Sequence, residues 1–342
     1  MDSVTQFVLG AAAGGAFLGK KAGNRAVIWG GLVATIPDLD VFFYPLMDEA
    51  AKLAWHRGIS HSILFNLLLT PLAGYFLYRI NNKKGSFRDW TVFSFICLFT
   101  AVLLDCFNVY GTHVFKPFSN YQAAFNNISV IDPLYTIPLL ISVLICFFVK
   151  SSNAFKSRLL AWGLVLSTLY MGATFAVKAH VNALAVKSFE KQGITPKRFM
   201  SAPSMFNAVL WRITAQTDRG FMAGYYSLFD KTGDIEFKFI PQNKNLLLIP
   251  EMNFQNSREL DTLIWFSRGW YSLKIDREKN LLFFSDLRFG EIYSDSPSKG
   301  TYVFKWSLEK RDSRVILKRV RPENFDISRA LGFIWQRLKG KG

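Results

Sequence analysis

His56 and His61 stand five positions apart in Trp55-His56-Arg57-Gly58-Ile59-Ser60-His61-Ser62, at the mouth of an apolar run, and are two of the chain's four histidines. Imidazole nitrogens bind zinc and several other transition ions, and carboxylates complete hydrolytic sites of that kind. The nearest carboxylates are Asp38 and Asp40, in Pro37-Asp38-Leu39-Asp40, and Asp105, close to the far end of an apolar run from Trp90 to Val109. Ionisable groups at such depth are costly beside lipid, so each asks for a partner. On a regular helix His56 and His61 would stand roughly 140° apart. Gly58 offers a break, leaving His56 in a loop and His61 in the first turn of the next helix. Asp38 and Asp40, at i and i+2, serve together only where Pro37 opens the backbone. Arg57 either grips a phosphate or carboxylate with its guanidinium fork or anchors the chain at an interface. These residues nominate a divalent metal site, zinc first among the ions, built from His56, His61, Asp38, Asp40 and Asp105.

Further polar residues have competing readings. Asp132, before Pro133, is either a helix N-cap or part of the site, and His113 is a further ligand candidate in a polar loop. His180 reads as an interfacial residue, and Ser60 and Ser62 as helix caps beside a ligand. No phosphate-cradling glycine loop and no serine in a nucleophile elbow is present in the sequence.

The elements that must position these groups are membrane helices. Half of the 342 residues are hydrophobic and 16% aromatic, including 33 phenylalanines, which is heavy for a soluble protein. The formal charge of +16 is spread over both halves, with 14 Lys/Arg against 8 Asp/Glu in 1–180 and 27 against 17 in 181–342. Such a balance suits nucleic acid or anionic lipid, and the hydrophobicity favours lipid, so no nucleic-acid partner is expected. Cys97, Cys106 and Cys146 lie in apolar stretches with neither knuckle nor disulfide spacing and read as core residues. No basic n-region precedes the first apolar run, so a cleaved signal peptide is not expected.

Apolar runs over 3–19, 26–47 (interrupted at Pro37), 62–80, 90–109, 133–149 and 159–177 predict about six crossings, one of them broken. The basic loops 20–25, 79–88 and 150–158 alternate with the weakly basic loops 46–61 and 110–131. The positive-inside rule then places the N-terminus outside. Asp38, Asp40, His56, His61, Asp105, His113 and Asp132 fall at one membrane face, although only hydropathy and loop charge placed the spans.

From about Lys178 the pattern changes. Short runs at Ile235–Ile240, Leu246–Ile249, Leu263–Phe266, Leu281–Phe284 and Tyr302–Leu308, with turn clusters such as Lys231-Thr232-Gly233-Asp234, predict a mostly antiparallel β domain. Ile327, Ala330, Leu331, Ile334, Trp335 and Leu338 share one helical face opposite Arg329, Arg337 and Lys339. Asp326 is the expected cap of this helix, which packs on the β domain or lies on the membrane. The expected architecture is a polytopic α-helical membrane domain over 1–180, followed by a β-rich extracytoplasmic domain over 181–342 with a C-terminal amphipathic helix.

Several stretches resemble the YdjM-like family of bacterial inner-membrane proteins, described as metal-dependent hydrolases. They are Met1-Asp2-Ser3-Val4-Thr5-Gln6, Ile36-Pro37-Asp38-Leu39-Asp40, the His56–Ser62 motif, Asp105 with Tyr110-Gly111-Thr112, Pro117-Phe118-Ser119 and Ile131-Asp132-Pro133-Leu134. Pro203 to Arg212 and Asp286-Leu287-Arg288-Phe289-Gly290 resemble the family's long form. The resemblance implies a multi-pass protein of the bacterial inner membrane. It also implies a metal site of His56, His61 and nearby aspartates, and a distant kinship with zinc phospholipase C-type enzymes. Two positions depart from the family: many members have histidine where Gln6 stands, and relatives often have glutamate near Gly15. Gln6 can hydrogen-bond but is a poor metal ligand, and Gly15 offers nothing.

The expected function is metal-dependent hydrolysis at the outer membrane–water interface, on a phospholipid or another envelope ester or phosphoester. An aspartate left free by the ion, Asp40 or Asp105, would act as general base, and Arg57 would steady an anionic substrate. The rival expectation is a non-catalytic envelope protein with a structural ion site and a partner-binding β domain.

Overall fold

Asp2 starts the first helix by accepting from the backbone N–H of Thr5, and α1 runs over Ser3–Ala22. Gly23, at φ 61°, turns the chain into α2 (Asn24–Ala34). The two helices cross at glycines. A Cβ on Gly10 would collide with the Gly30 carbonyl, and one on Gly30 with the Gly10 carbonyl, so the backbones approach as only small residues permit. Gly10→Val is therefore expected to destabilise the protein by about 1–3 kcal/mol through overpacking. Thermal unfolding of the detergent-solubilised chain checks this, and an unchanged midpoint would contradict it.

A computed structural model describes residues 1–81, 84–248, 254, 256–292, 301–311, 314–321 and 327–340. After α2 the chain enters a 3-10 segment, Ile36–Leu46, bent from it by 41°; this is the break expected at Pro37. Then follow α3 (Glu49–Trp55), a 3-10 turn at Ile59–His61, and α4 (Ile63–Ile80). Ser62 caps α4 by accepting from Phe65 N–H. His61 thus sits in the turn before α4 rather than in its first turn. A reciprocal capping box of Ser86 and Asp89 opens α5 (Phe87–Asp105). An irregular connector leads to α6 (Pro133–Phe148), where Asp132 accepts from the N–H groups of Leu134 and Tyr135. That settles Asp132 as the N-cap, with Pro133 at the position proline tolerates best. The 39-residue α7 (Asn153–Lys191) extends beyond both ends of the apolar run 159–177.

By length and composition α4, α5 and α7 can each cross a membrane, and α2 with its bent continuation makes a fourth candidate span. The apolar α6 is shorter, at 16 residues. Alanine and glycine dilute α1, which instead lies in the core: Val8, Leu9, Ala11 and Ala12 pack with Leu139, Val143 and Leu160. The three cysteines are buried and free, as their apolar surroundings predict. Gly15 belongs to this packing, because a side chain there would meet Val27 and Leu160.

The chain divides into two compact units, and the division falls inside α7. Met1–Phe43, Trp55–Ala176 and Met205–Asn207 form one, and Tyr44–Ala54, Val177–Ser204 and Ala208–Gly342 the other. The second unit is rich in antiparallel sheet. β1 (Arg198–Pro203), β2 (Leu210–Gln216), β3 (Gly220–Ser227) and β4 (Lys238–Pro241) pair in sequence order. β5 (Tyr271–Asp276) and β6 (Leu281–Asp286) precede a small ladder of β7 (Glu291–Ile292) with β8 (Thr301–Tyr302). β9 (Lys305–Arg311) and β10 (Arg314–Arg319) complete a second sheet in the order β10-β9-β6-β5.

Two of the expected strands are not strands. Leu263–Phe266 ends a helix, α8 (Arg258–Phe266), capped by Ser257 and burying Leu260, Leu263 and Phe266 on one face. Lys244–Leu248 forms a 3-10 turn, and Ile249 lies outside the described residues. Asp286 and Arg288 form a fully buried ion pair, with the guanidinium over Phe266. The last helix, α9 (Ile327–Leu338), docks its final turn on this unit: Arg337 pairs with Asp230, and Leu338 O accepts from Ser227 Oγ. Leu331 and Trp335 stay exposed. Asp326, the expected cap, lies outside the described residues.

Candidate metal centre

Three elements deliver polar side chains to one place: the 3-10 segment carries Asp38 and Asp40, the turn before α4 carries His61, and α5 ends at Asp105. One ligand atom from each of Asp38, His61 and Asp105 lies within 4.8 Å of the other two. His61 Nε2 is 3.1 Å from Asp38 Oδ1 and 3.4 Å from Asp105 Oδ2. His61 and Asp105 are fully buried, and Asp38 half-buried.

Asp105 uses its two oxygens differently. Oδ1 meets Arg57 Nη2 at 3.0 Å and the amino group of Met1. Oδ2 accepts from Gln6 Nε2 at 2.8 Å and faces His61. Cationic partners thus hold one oxygen and leave the other turned to the cluster.

Asp40 sits behind the cluster. Its Oδ2 accepts from Arg57 N–H at 3.1 Å and from Ser60 Oγ at 3.2 Å, and its Oδ1 is 3.1 Å from His56 Nδ1. Ser60 has one hydroxyl proton, which goes to Asp40, so its oxygen accepts from His61 Nδ1, 2.9 Å away. That assignment turns the Nε2 lone pair of a neutral His61 toward two carboxylate oxygens, an arrangement that requires a positive occupant between them. A proton meets the need in part. Burial alone lowers the His61 pKa, but the carboxylates of Asp105 and Asp38 outweigh it and raise the imidazole above its ordinary value. A divalent cation meets the same need, and its donors would be one imidazole and two carboxylates, a set suited to such an ion. Ser60, expected as a helix cap, is instead the link that sets this tautomer. Ser60→Ala is expected to weaken divalent-metal binding by about tenfold, as loss of an outer hydrogen bond to a ligand does. Calorimetric titration of the purified variant measures it, and wild-type affinity would contradict it.

The five residues expected as ligands therefore separate into two groups. Asp38, His61 and Asp105 converge, whereas His56 and Asp40 pair with each other beside them. The His56 ring lies edge-on to His61, with centroids 6.2 Å apart, and to Tyr110 at 5.5 Å. Arg57 is buried and in the left-handed region, at φ 53°, a conformation a non-glycine residue keeps only when its surroundings fix it. Asp40 holds its N–H, and His113 donates to its carbonyl from both the backbone N–H (3.2 Å) and Nδ1 (3.0 Å). The Arg57 guanidinium reaches Asn108 Oδ1 at 3.2 Å and lies over the Tyr110 ring. His113 thus braces Arg57 outside the ligand group. His180 is in the second unit, 6.2 Å from the Tyr226 ring between centroids.

Sequence reasoning missed Asn108 and Tyr110 as partners of Arg57. Their position just after Asp105 is the one signal that could have found them. At the other end of α5, Lys21 Nζ pairs with Asp89 at 2.9 Å. The basic turn after α1 is therefore at the end of α5 opposite to the cluster.

No solved structure matches the chain. The uncharacterized protein YfhP of Bacillus subtilis (strain 168) is 31% identical over 157 residues, which cover 43% of this chain and 46% of that protein. The chain thus spans less than half of that relative's length. Residues 1–181, just over half of the chain, match the family described as YdjM inner membrane protein, and the chain belongs to that family.

Proposed function

We propose that the chain is a membrane-bound, metal-dependent hydrolase working at the outer membrane–water interface. The observation that carries this reading is the set of Asp38, His61 and Asp105, the last two fully buried, whose facing atoms are all acceptors when His61 is neutral and donates from Nδ1 to Ser60. A divalent ion held there supplies a Lewis acid that lowers the pKa of water and polarises the scissile group. The protein's own residues do the rest. Asp40 holds His56 at Nδ1 and fixes the ring, as a carboxylate orients the imidazole base of a catalytic dyad. Arg57 balances the charge of Asp105, and its positive charge at the site favours an anionic substrate.

The substrate class is a phospholipid or another envelope ester or phosphoester. Exposed apolar side chains in the segments that carry the site, Phe42 two residues after Asp40 and Ile59 two before His61, support a substrate drawn from the bilayer. Six crossings, counting α1 and α6, with the N-terminus outside, would give the cluster this face. The Lys21–Asp89 pair at the far end of α5 supports that orientation. The β-rich domain would then be extracytoplasmic.

The test uses the full chain in lipid nanodiscs, loaded with divalent metal, with phospholipid turnover followed before and after chelation. Turnover that stops on chelation and returns with metal is expected. No metal bound under any loading condition would sink the reading, and bound metal without turnover on any ester would turn the site into a structural one.

A further inference from the structure

Gln6 brings one more acceptor to the cluster. We infer that its side-chain carbonyl oxygen is a metal ligand, making the centre oxygen-rich and shifting its relative preference from zinc toward a hard divalent ion, manganese foremost. This rests on the metal reading above. Gln6 is fully buried in α1, and its Nε2 donates to Asp105 Oδ2 at 2.8 Å. An ionised carboxylate only accepts, so the amide cannot be turned the other way without losing that bond. Its Oε1 is then a buried acceptor with no hydrogen-bond partner among the described residues. A folded protein rarely leaves such an atom unsatisfied.

The surroundings say what would satisfy it. Oε1 and Nε2 share one amide carbon, so Oε1 lies one amide width from the bond to Asp105 Oδ2. That same oxygen is 3.4 Å from His61 Nε2, which is itself 3.1 Å from Asp38 Oδ1. The Gln6 amide thus adjoins the carboxylate oxygen that faces His61 and Asp38, and a proton on His61 Nε2, shared with those two carboxylates, leaves the Gln6 carbonyl unsatisfied. A metal cation is the occupant that answers the carbonyl together with the carboxylates and the imidazole.

The donor count also decides which cation. Zinc centres are built on imidazole and thiolate, whereas carboxylate and carbonyl oxygens suit manganese, magnesium and calcium. With His56 turned to Asp40, the set is one nitrogen and three oxygens. The single imidazole points to manganese among the hard ions. This parts from the zinc expected of a two-histidine set.

The experiment measures Mn2+ and Zn2+ binding to the full-length chain in detergent, for wild type, Gln6→Leu, Gln6→Glu, Gln6→His and His61→Ala. Zinc binds most sites more tightly than manganese, so the informative quantity is the change in their affinity ratio. Gln6→Leu is expected to weaken Mn2+ binding at least about tenfold. Gln6→Glu, which restores an oxygen but not the donor to Asp105, should retain Mn2+. Gln6→His should shift the ratio toward zinc by about tenfold. It should also add a second imidazole nitrogen to the Mn2+ electron spin-echo spectrum, which shows one in wild type.

If Gln6→Glu weakens Mn2+ as Gln6→Leu does, or Gln6→His shows one nitrogen and an unchanged ratio, Gln6 is not a ligand. The metal centre itself still stands in that case, provided His61→Ala abolishes binding. Wild type that binds neither ion overturns both readings. Size-exclusion elution and circular dichroism confirm that each variant is folded.

Discussion

Asp105→Ala is expected to cost roughly 3–5 kcal/mol of stability, the range for removing one partner of a buried ion pair. Arg57 is 3% exposed and its guanidinium lies 3.0 Å from Asp105 Oδ1. Without the carboxylate that charge would be buried with no counter-ion, and Gln6 Nε2 would lose its acceptor. Asp105→Asn keeps the shape and one acceptor oxygen, so its loss should be smaller. Denaturant or thermal unfolding in detergent measures both variants. A cost below about 1 kcal/mol for Asp105→Ala, the value of an exposed pair, would mean that Arg57 escapes to water and that the site is not buried as described.

His61→Ala is expected to reduce divalent-metal affinity by at least about 100-fold, since it removes the only nitrogen donor among the three converging residues. It also frees Asp38 and Asp105 from the group that separates them, which adds carboxylate repulsion. His56→Ala should cost only about tenfold, because His56 acts through Asp40 and Ser60 rather than on the ion. Calorimetric titration of the two variants side by side distinguishes the roles. Equal losses would make His56 a ligand and contradict the separation into two groups.

Much of this arrangement was legible in the sequence, because hydropathy and charge are strong signals at membrane scale. The spans at α4, α5 and α7, the break at Pro37 and the Asp132 cap all follow from local rules, and the placement of Asp38, His61 and Asp105 at one end of their spans follows from the order of the spans. Finer facts needed the packed structure. Leu-Ile-Trp-Phe at 263–266 has strand composition, yet its burial belongs to a helical face that includes Leu260, and Ser257 with the acids Glu259 and Asp261 were the overlooked start signal. Ser60 has the look of a cap because serine beside a helix start usually is one; its contact with Asp40, from a segment 20 residues away, is what sets its role toward the adjacent His61. Similarly, the pairing of His56 with Asp40 could not be read from spacing, since it depends on where the 3-10 segment lands. By residue type Gln6 is a poor substitute for a stronger ligand, and only the fold reveals that its amide is anchored at one end and unsatisfied at the other.

The most direct measurement of the metal centre is anomalous X-ray scattering from crystals of the full-length chain grown with Mn2+ or Zn2+. The expected result is an anomalous peak bounded by Asp38, His61 and Asp105, with His56 remaining on Asp40. A metal-loaded crystal with no peak between those three side chains would contradict it.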